Sequence, residues 1–577
     1  MTPKQLLAII ALPVMLLCSQ AAYAQNKTIS GKVTDSKDGA PISGASVQPK
    51  GTKKGVTTGA DGSFKISVEA NVTKLVVSSV GYASQEIDIS GKSEVSVSLT
   101  VTNTSLNEVV VVGYGSRKVK DATGSVAALT TKDFNKGVIS TPEQLLQGRT
   151  PGVIVSPASG EPGAAATINI RGTASVRGSQ EPLYIIDGVP VSSSDGMLSG
   201  SSGIEGSSTP KNPLIFLNPN DIESISILKD ASATAIYGSR GANGVIIITT
   251  KSGKGKKGSF QFGASTSVST VASRYDLLSP SAFLAAVKKA NIDAGTSPAD
   301  AAVAVKSVDK GYNTNWQDQI YRVGVNQNYN LGWGFAGKTT ALRLSGSYDD
   351  QQGIIKNSSL KRMTGRMNLT QKFLDDKLKF DINATYSNIK NSYPPLTNNA
   401  GYQGSLIGAV IGFNPTAPIY NPDGSFYDPK DGNRNPAEML AYFDDKDKTN
   451  RFLTSVSGSY TIISGLVYKA TLGYDNSKTE RISFADPRLS TNAFGGTVNV
   501  FGKDLGNQIE GNGRTTKQNL DLTTLLVEHT LTYDKTFKNG HVLNAVAGFS
   551  YQKTKTDYTG KVGWGLSSAV SKPTDVL

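Results

Sequence analysis

Few side chains in this 577-residue chain can make or break bonds. Histidine occurs twice, at His529 and His541, and cysteine once, at Cys18. A zinc centre needs clustered His, Cys or carboxylate ligands, and a hydrolytic triad needs a base held beside its nucleophile. Two histidines in consecutive alternating segments supply neither, so no catalytic residue, metal site or cofactor is expected. The spacing Gly238-x-x-Gly241-x-x-Gly244 superficially matches a phosphate-cradling loop. It lacks a strand before, a helix after and any Gly-Lys-Ser/Thr, which argues against a nucleotide site. What remains is main-chain chemistry. In Asn107-Glu108-Val109-Val110-Val111-Val112-Gly113-Tyr114-Gly115, four β-branched residues favour extended backbone and the glycines cut that preference off. Such a run is either a buried strand or an extended peptide that pairs with the edge of a partner's sheet. Left free, it is an aggregation hazard.

The elements around that run set its context. Residues 1–24 have the order of a secretory signal: Lys4, an apolar stretch from Leu6 to Leu17, then Ala22-Tyr23-Ala24 before Gln25. The apolar stretch is too short to span a bilayer as a helix, and no other long one follows. Leu17 is too bulky for a lipid-attachment box at Cys18, and a mature chain without cysteine has neither disulfides nor thiolate metal sites. With 60 glycines and 38% hydrophobic residues, a helical membrane protein is excluded but a transmembrane β-barrel is not. The net charge of +13 is spread out except at Lys251, Lys254, Lys256 and Lys257, which fit a solvated linker better than a nucleic-acid or headgroup contact.

Residues 26–102 carry short alternating runs, among them Phe64-x-Ile66-x-Val68 and Val95-x-Val97-x-Leu99, separated by turn residues such as Asp38-Gly39 and Asp61-Gly62. About seven strands indicate a β-sandwich. Gly31-x-Val33-x-Asp35, Pro41-Ile42-x-Gly44-Ala45, Gly59-x-Asp61-Gly62-x-Phe64 and Gly81-Tyr82 resemble the carboxypeptidase-regulatory-like, transthyretin-like domain, a non-catalytic accessory module.

Between residues 116 and 255 lie Leu145-Leu146-Gln147-Gly148-Arg149-x-Pro151-Gly152-Val153, Ile168-x-Ile170-Arg171-Gly172 and Pro182-Leu183-Tyr184-Ile185-Ile186-Asp187-Gly188-Val189-Pro190. Asn218-Pro219-x-Asp221-Ile222-Glu223-Ser224-Ile225 follows, then Leu228-Lys229-Asp230-Ala231 and Ile236-Tyr237-Gly238-Ser239-Arg240-Gly241. Together these resemble the plug of a TonB-dependent outer-membrane transporter of the SusC/RagA type, found in Bacteroidetes-like bacteria. The runs Leu183–Ile186, Ile222–Leu228 and Val245–Thr250 can form a small mixed sheet, and Ala231–Tyr237 a short helical stretch that Gly238 ends. Small polar residues at 192–194 and 199–208 suit a domain filling a water-lined lumen. Arg171 and Arg240 either pair with carboxylates on a barrel wall or are solvated.

From residue 256 to 577 strict alternation takes over, as in Leu378-Lys379-Phe380-Asp381-Ile382-Asn383-Ala384-Thr385-Tyr386. Similar runs lie near 260–268, 329–335, 342–348, 367–373, 452–462, 466–474, 525–533 and 543–551. Many end in Tyr, Trp or Phe, as an interfacial girdle requires. Short connections (336–340, 374–377, 463–465, 535–540) alternate with long ones (269–328, 349–364, 389–451, 475–524), the parity of periplasmic turns and outer loops. In 389–451 the aromatics either meet substrate or pack the loop. The expected fold is therefore mainly β: a transthyretin-like sandwich, a mixed α+β plug, and the first part of an antiparallel transmembrane barrel. Roughly nine strands fall short of the about 22 needed around such a plug, so the sequence reads as an N-terminal portion of a longer protein.

The resemblance implies TonB-energised uptake of an oligosaccharide, glycan or peptide, with Glu108–Gly115 as the TonB box. It implies as partners TonB of the TonB-ExbB-ExbD complex, a SusD-like lipoprotein and outer-membrane lipid, and no nucleic acid. The expected location is the outer membrane, with the N-terminal domain in the periplasm. A TonB-linked signalling receptor and a secreted β-domain adhesin or hydrolase are the alternatives.

Overall fold

The computed structural model describes residues 27–52, 55–79, 82–100, 109–112, 115–118, 125–137, 139–172, 180–191, 212–396, 405–430, 433–489, 499–500, 503–504, 513–537 and 541–564. The signal segment 1–24, Gly81, Glu108, Gly113, Tyr114 and the serine-rich 192–194 and 199–208 lie outside the described residues. The chain divides into two compact units, one running to Val109 and one holding almost everything after it.

The first unit has the expected seven strands: β1 (Lys27–Asp35), β2 (Ser46–Pro49), β3 (Val56–Thr57), β4 (Ser63–Val68), β5 (Lys74–Ser78), β6 (Gln85–Asp88) and β7 (Glu94–Leu99). They form two sheets, in the orders β4-β1-β7 and β3-β2-β5-β6. The period-2 pattern decides what is buried: Phe64, Ile66 and Val68 of β4 point inward while Ser63, Lys65 and Ser67 face water. Ile29, Val33, Val47, Leu75, Val77, Ile89, Val97 and Leu99 complete one core.

At the boundary between the units, β8 (Val109–Val112) and β9 (Gly115–Lys118) pair with each other as a two-stranded sheet. The backbone of the valine run is thus paired with the residues that follow it. Next come β10 (Val126–Thr130), β11 (Val153–Pro157), β12 (Ala166–Ile170), β13 (Leu183–Ile186), β14 (Val189–Val191), β15 (Ile222–Leu228) and β16 (Val245–Thr250). β11 and β12 form a hairpin, and the others a sheet in the order β10-β15-β16-β13-β14. Its β13/β16 pair is parallel and its β15/β16 pair antiparallel, so the mixed sheet expected from three runs is present with two further strands. The short helix covers Ala231–Thr234 and continues as tighter turns to Gly241, broken at Gly238, whose φ of 60° suits glycine.

The remainder is a nine-stranded antiparallel sheet in chain order: β17 (Ser259–Ser269), β18 (Gly324–Ala336), β19 (Thr340–Gln352), β20 (Ser359–Phe373), β21 (Leu378–Tyr393), β22 (Phe443–Ile463), β23 (Leu466–Ala485), β26 (Arg514–Thr536) and β27 (Val542–Trp564). A two-residue pair, β24 (Asn499–Val500) and β25 (Lys503–Asp504), lies in the loop before β26. The short turns fall where expected. All four long connections are shorter than expected: 269–328 reduces to 270–323, 349–364 to 353–358, 389–451 to 394–442 and 475–524 to 486–513, because the strands continue past the apolar band. Beyond it their outward residues become Lys, Asn and Asp, so hydrophobic alternation fades while the hydrogen-bond ladder continues. The long loop after β21 folds with Trp316–Ile320 into a separate apolar cluster, in which Trp316 and Phe413 meet edge-on at 4.5 Å. Phe413 therefore packs the loop, whereas Tyr420 stays half exposed.

Candidate gating and coupling site

The plug lies against the inner face of the wall, and the contact is built from both apolar and charged groups. Leu360, Ile389 and Leu453 of the wall join the plug's own core of Ile168, Ile186, Leu214, Phe216 and Ile225. Gly473 of β23 leaves room for Val189, since a Cβ there would stand 2.9 Å from its Cγ2.

Asp187 and Gly188 connect β13 to β14 with φ of 47° and 88°, the left-handed pair that a two-residue hairpin requires. The hairpin aims Asp187 at the wall. Its Oδ2 accepts from Arg366 Nη2 at 2.5 Å, and its Oδ1 accepts from the Thr250 amide at 3.0 Å. Arg366 also donates to the Thr385 hydroxyl at 2.7 Å and to Thr250 Oγ1. Arg366 and Asp187 are 3% and 9% exposed, so a water-excluded ion pair joins plug to wall.

Three more wall arginines reach the plug. Arg343 stands 3.6 Å from Asp221. Arg362, held by Asp349 at 3.0 Å, donates to the Ile215 carbonyl at 2.6 Å. Arg451, gripped by both oxygens of Asp475, donates to the Pro213 carbonyl at 3.0 Å and lies 4.1 Å over the Phe216 ring. The apolar segment Leu214–Leu217 is thus clasped through its main chain, and an Asn side chain stands at each end. Asn212 Oδ1 accepts from the Leu214 amide at 2.7 Å, and Asn218 donates to Asn330 of the wall at 2.6 Å. Beside this clasp a cavity of about 480 Å³ is lined by Asn326, Asn328 and Ser265 of the wall and by Lys136 and Lys251 of the plug. Burial, with the Arg343 charge adding to it, holds Lys251 below the usual lysine range.

Neither plug arginine pairs with a wall carboxylate, and both are exposed, as the solvated reading has it. Arg171, whose backbone is left-handed at φ 58°, pairs with Asp230 inside the plug. Arg240 does reach the wall, but its partner there is the amide of Gln552. In the two ion pairs that cross the interface, Asp187–Arg366 and Asp221–Arg343, the carboxylate comes from the plug and the arginine from the wall. Lys229 and Asp230 belong with Arg171: Lys229 donates to the Pro151 carbonyl at 3.3 Å, and Asp230 accepts from the Ser125 amide at 2.7 Å. Burial, then the Arg171 charge, lowers Lys229 from its ordinary value. Arg149 donates to Asn135 at 2.7 Å. Tyr237 packs beside Ile185, Val245 and Ile247, and Gly241 is buried against Thr234. Of the expected coupling segment, Val109–Val112 and Gly115 are in the β8/β9 pair.

Comparison with known proteins agrees with this architecture. Residues 118–245 match the TonB-dependent Receptor Plug Domain, and residues 29–111 match the CarboxypepD_reg-like domain. The chain is 35% identical to the TonB-dependent receptor SusC of Bacteroides thetaiotaomicron over 81% of its own length and 46% of that protein's. It is 32% identical to the TonB-dependent receptor P3 of Formosa agariphila over 94% of its own length and 50% of that protein's. Its fold is shared with the RagAB peptide importer in the open-open state, at a TM-score of 0.63 and 22% identity, over 80% of this chain and 51% of that one. The chain spans about half the length of the curated relatives it matches. Over the half that it spans, it is a homologue of the TonB-dependent receptors of the SusC type.

Proposed function

We propose that the chain forms the plug and part of the wall of an outer-membrane importer for a large nutrient, an oligosaccharide, glycan or peptide. Substrate is captured outside, the plug closes the lumen, and TonB of the TonB-ExbB-ExbD complex pulls on Glu108–Gly115 to open a path. A SusD-like lipoprotein is the outer partner, and the sandwich (26–102) lies in the periplasm. The observation that carries this reading is the set of wall arginines holding plug carboxylates and main chain at a buried interface, an arrangement that keeps a gate shut without covalent chemistry. The β8/β9 pair leaves one edge of Val109–Val112 without a strand among the described residues, and β-augmentation by a partner needs such an edge. Deleting Glu108–Val112 is expected to abolish uptake while surface binding of substrate persists. Uptake at the normal rate by the deletion variant would remove the coupling role.

A further inference from the structure

On the outward face of the sheet, three lysines stand in one row across adjacent strands. Lys361 of β20 is opposite Lys390 of β21, and Lys390 is opposite Lys448 of β22. Directly opposed residues of one face have Cβ atoms about 5 Å apart, and like charges there destabilise a sheet. Lys361 is relieved by Asp350 at 3.1 Å. Lys390 and Lys448 have no ion pair among the described residues, and Glu480, opposite Lys448, is taken up by Lys517 at 3.0 Å. Two neighbouring ammonium groups are thus left to repel each other on an exposed surface.

Their height is set by the rings beside them. Tyr386 and Phe452 are opposed outward residues four positions nearer the short turns. The same order of ring, Asn and Lys occurs as Tyr386, Asn388 and Lys390, as Phe452, Asn450 and Lys448, and again as Tyr474, Asn476 and Lys478. Four residues of a strand tilted by about 40° rise roughly 10 Å, so the lysines stand in the headgroup layer above an interfacial ring.

We propose that Lys390 and Lys448, flanked by the ion pairs Lys361–Asp350 and Lys446–Asp444, form a binding site for the phosphate of an outer-leaflet glycolipid. An anion bridging the pair turns a repulsive juxtaposition into a favourable one, and the ring–Asn–Lys order presents it at the depth where such phosphates lie. The site rests on the membrane placement of the proposed function.

The test uses the full chain in nanodiscs of a nonionic lipid, titrated with a multi-acylated diglucosamine lipid carrying one phosphate and with the same lipid after phosphate removal. The phosphorylated lipid is expected to bind the wild-type chain, and K390Q/K448Q to bind it about 30-fold more weakly, since each lysine near an anionic surface contributes a factor of about five. K390R/K448R retains binding, and in the nonionic lipid alone K390Q/K448Q melts no lower than wild type because a repulsion has been removed. Equal binding of the dephosphorylated lipid, equal binding by K390Q/K448Q, or full competition by equimolar inorganic phosphate overturns the site. Failure of the wild-type chain to insert into any of the discs, when held within the closed barrel of which the proposed function makes it part, overturns the membrane placement itself, and the site with it.

Discussion

Replacing Arg366 by Met removes the charge that Asp187 faces across the interface while keeping much of the buried hydrocarbon. The two groups are 3% and 9% exposed, so solvent does not take over the lost contact. Removing one partner of such a pair costs about 3–5 kcal/mol. Asp187 keeps its two donors from Thr250, which places R366M at the lower end, about 3 kcal/mol. The Thr250 amide, bonded to Asp187 Oδ1, reports the event directly by hydrogen exchange. A loss of about 3 kcal/mol speeds its exchange roughly 150-fold. Amides in the wall ladder away from the plug, such as Tyr460 and Tyr468, keep their rates. Combining R366M with D187N separates the pair from its surroundings, with an expected coupling of about 2 kcal/mol. Unchanged exchange at Thr250 in R366M, or strictly additive effects in the double variant, would refute the claim that this pair holds the plug.

Gly473→Ala pushes a methyl group to within 2.9 Å of Val189 Cγ2 and 3.2 Å of Leu526 Cβ, so plug docking weakens by about 1–3 kcal/mol. Adding Val189→Ala should restore most of the loss in a thermal melt. Glu143 is fully buried, accepts from Asn212 at 3.0 Å, and has its carboxyl pushed above the usual range by burial. A carboxyl raised in the folded state favours folding while protonated, so plug stability falls as pH climbs from the ordinary value near 4.5 through the raised one. Glu143→Gln should flatten that decline and increase exchange protection of the plug at pH 7 while changing little at pH 4.

The middle of each wall strand was legible because two physical demands coincide there. Leu378–Tyr386 and Leu466–Tyr474 must put apolar groups toward lipid and polar ones toward the lumen, and both strands start at the residue the pattern indicates. Their outer halves were not legible, since Asp444, Lys446, Lys478 and Glu480 face water and only the backbone ladder marks them as strand. The plug motifs located Asp187 and Asp221 but not their partners. Arg343, Arg362, Arg366 and Arg451 sit at inward positions of alternating runs, where any polar residue satisfies a water-lined wall. Each meets a plug residue more than a hundred positions away, and nothing local distinguishes them from solvated arginines. The valine run shows the opposite failure, because composition favours extended backbone without saying which neighbour pairs with it.

The arrangement around Ser125 governs how the plug bears load. Under the proposed function, tension applied to residues 109–118 arrives at Ser125, immediately before β10. β10 is the edge strand of its sheet and has five register pairs to β15. Ser125 is bonded to Asp230 and to the Lys229 amide, so among the described residues after Lys118 the Lys229-Asp230-Arg171 cluster is the first fastening that tension meets. The arginine clasps on Pro213 and Ile215 lie much later along the chain. Fastenings in series yield in the order of their strength and position, so a short edge strand behaves as a fuse ahead of a stronger mount. Traction could strip β10 from β15 while the rest of the plug stays seated in its wall.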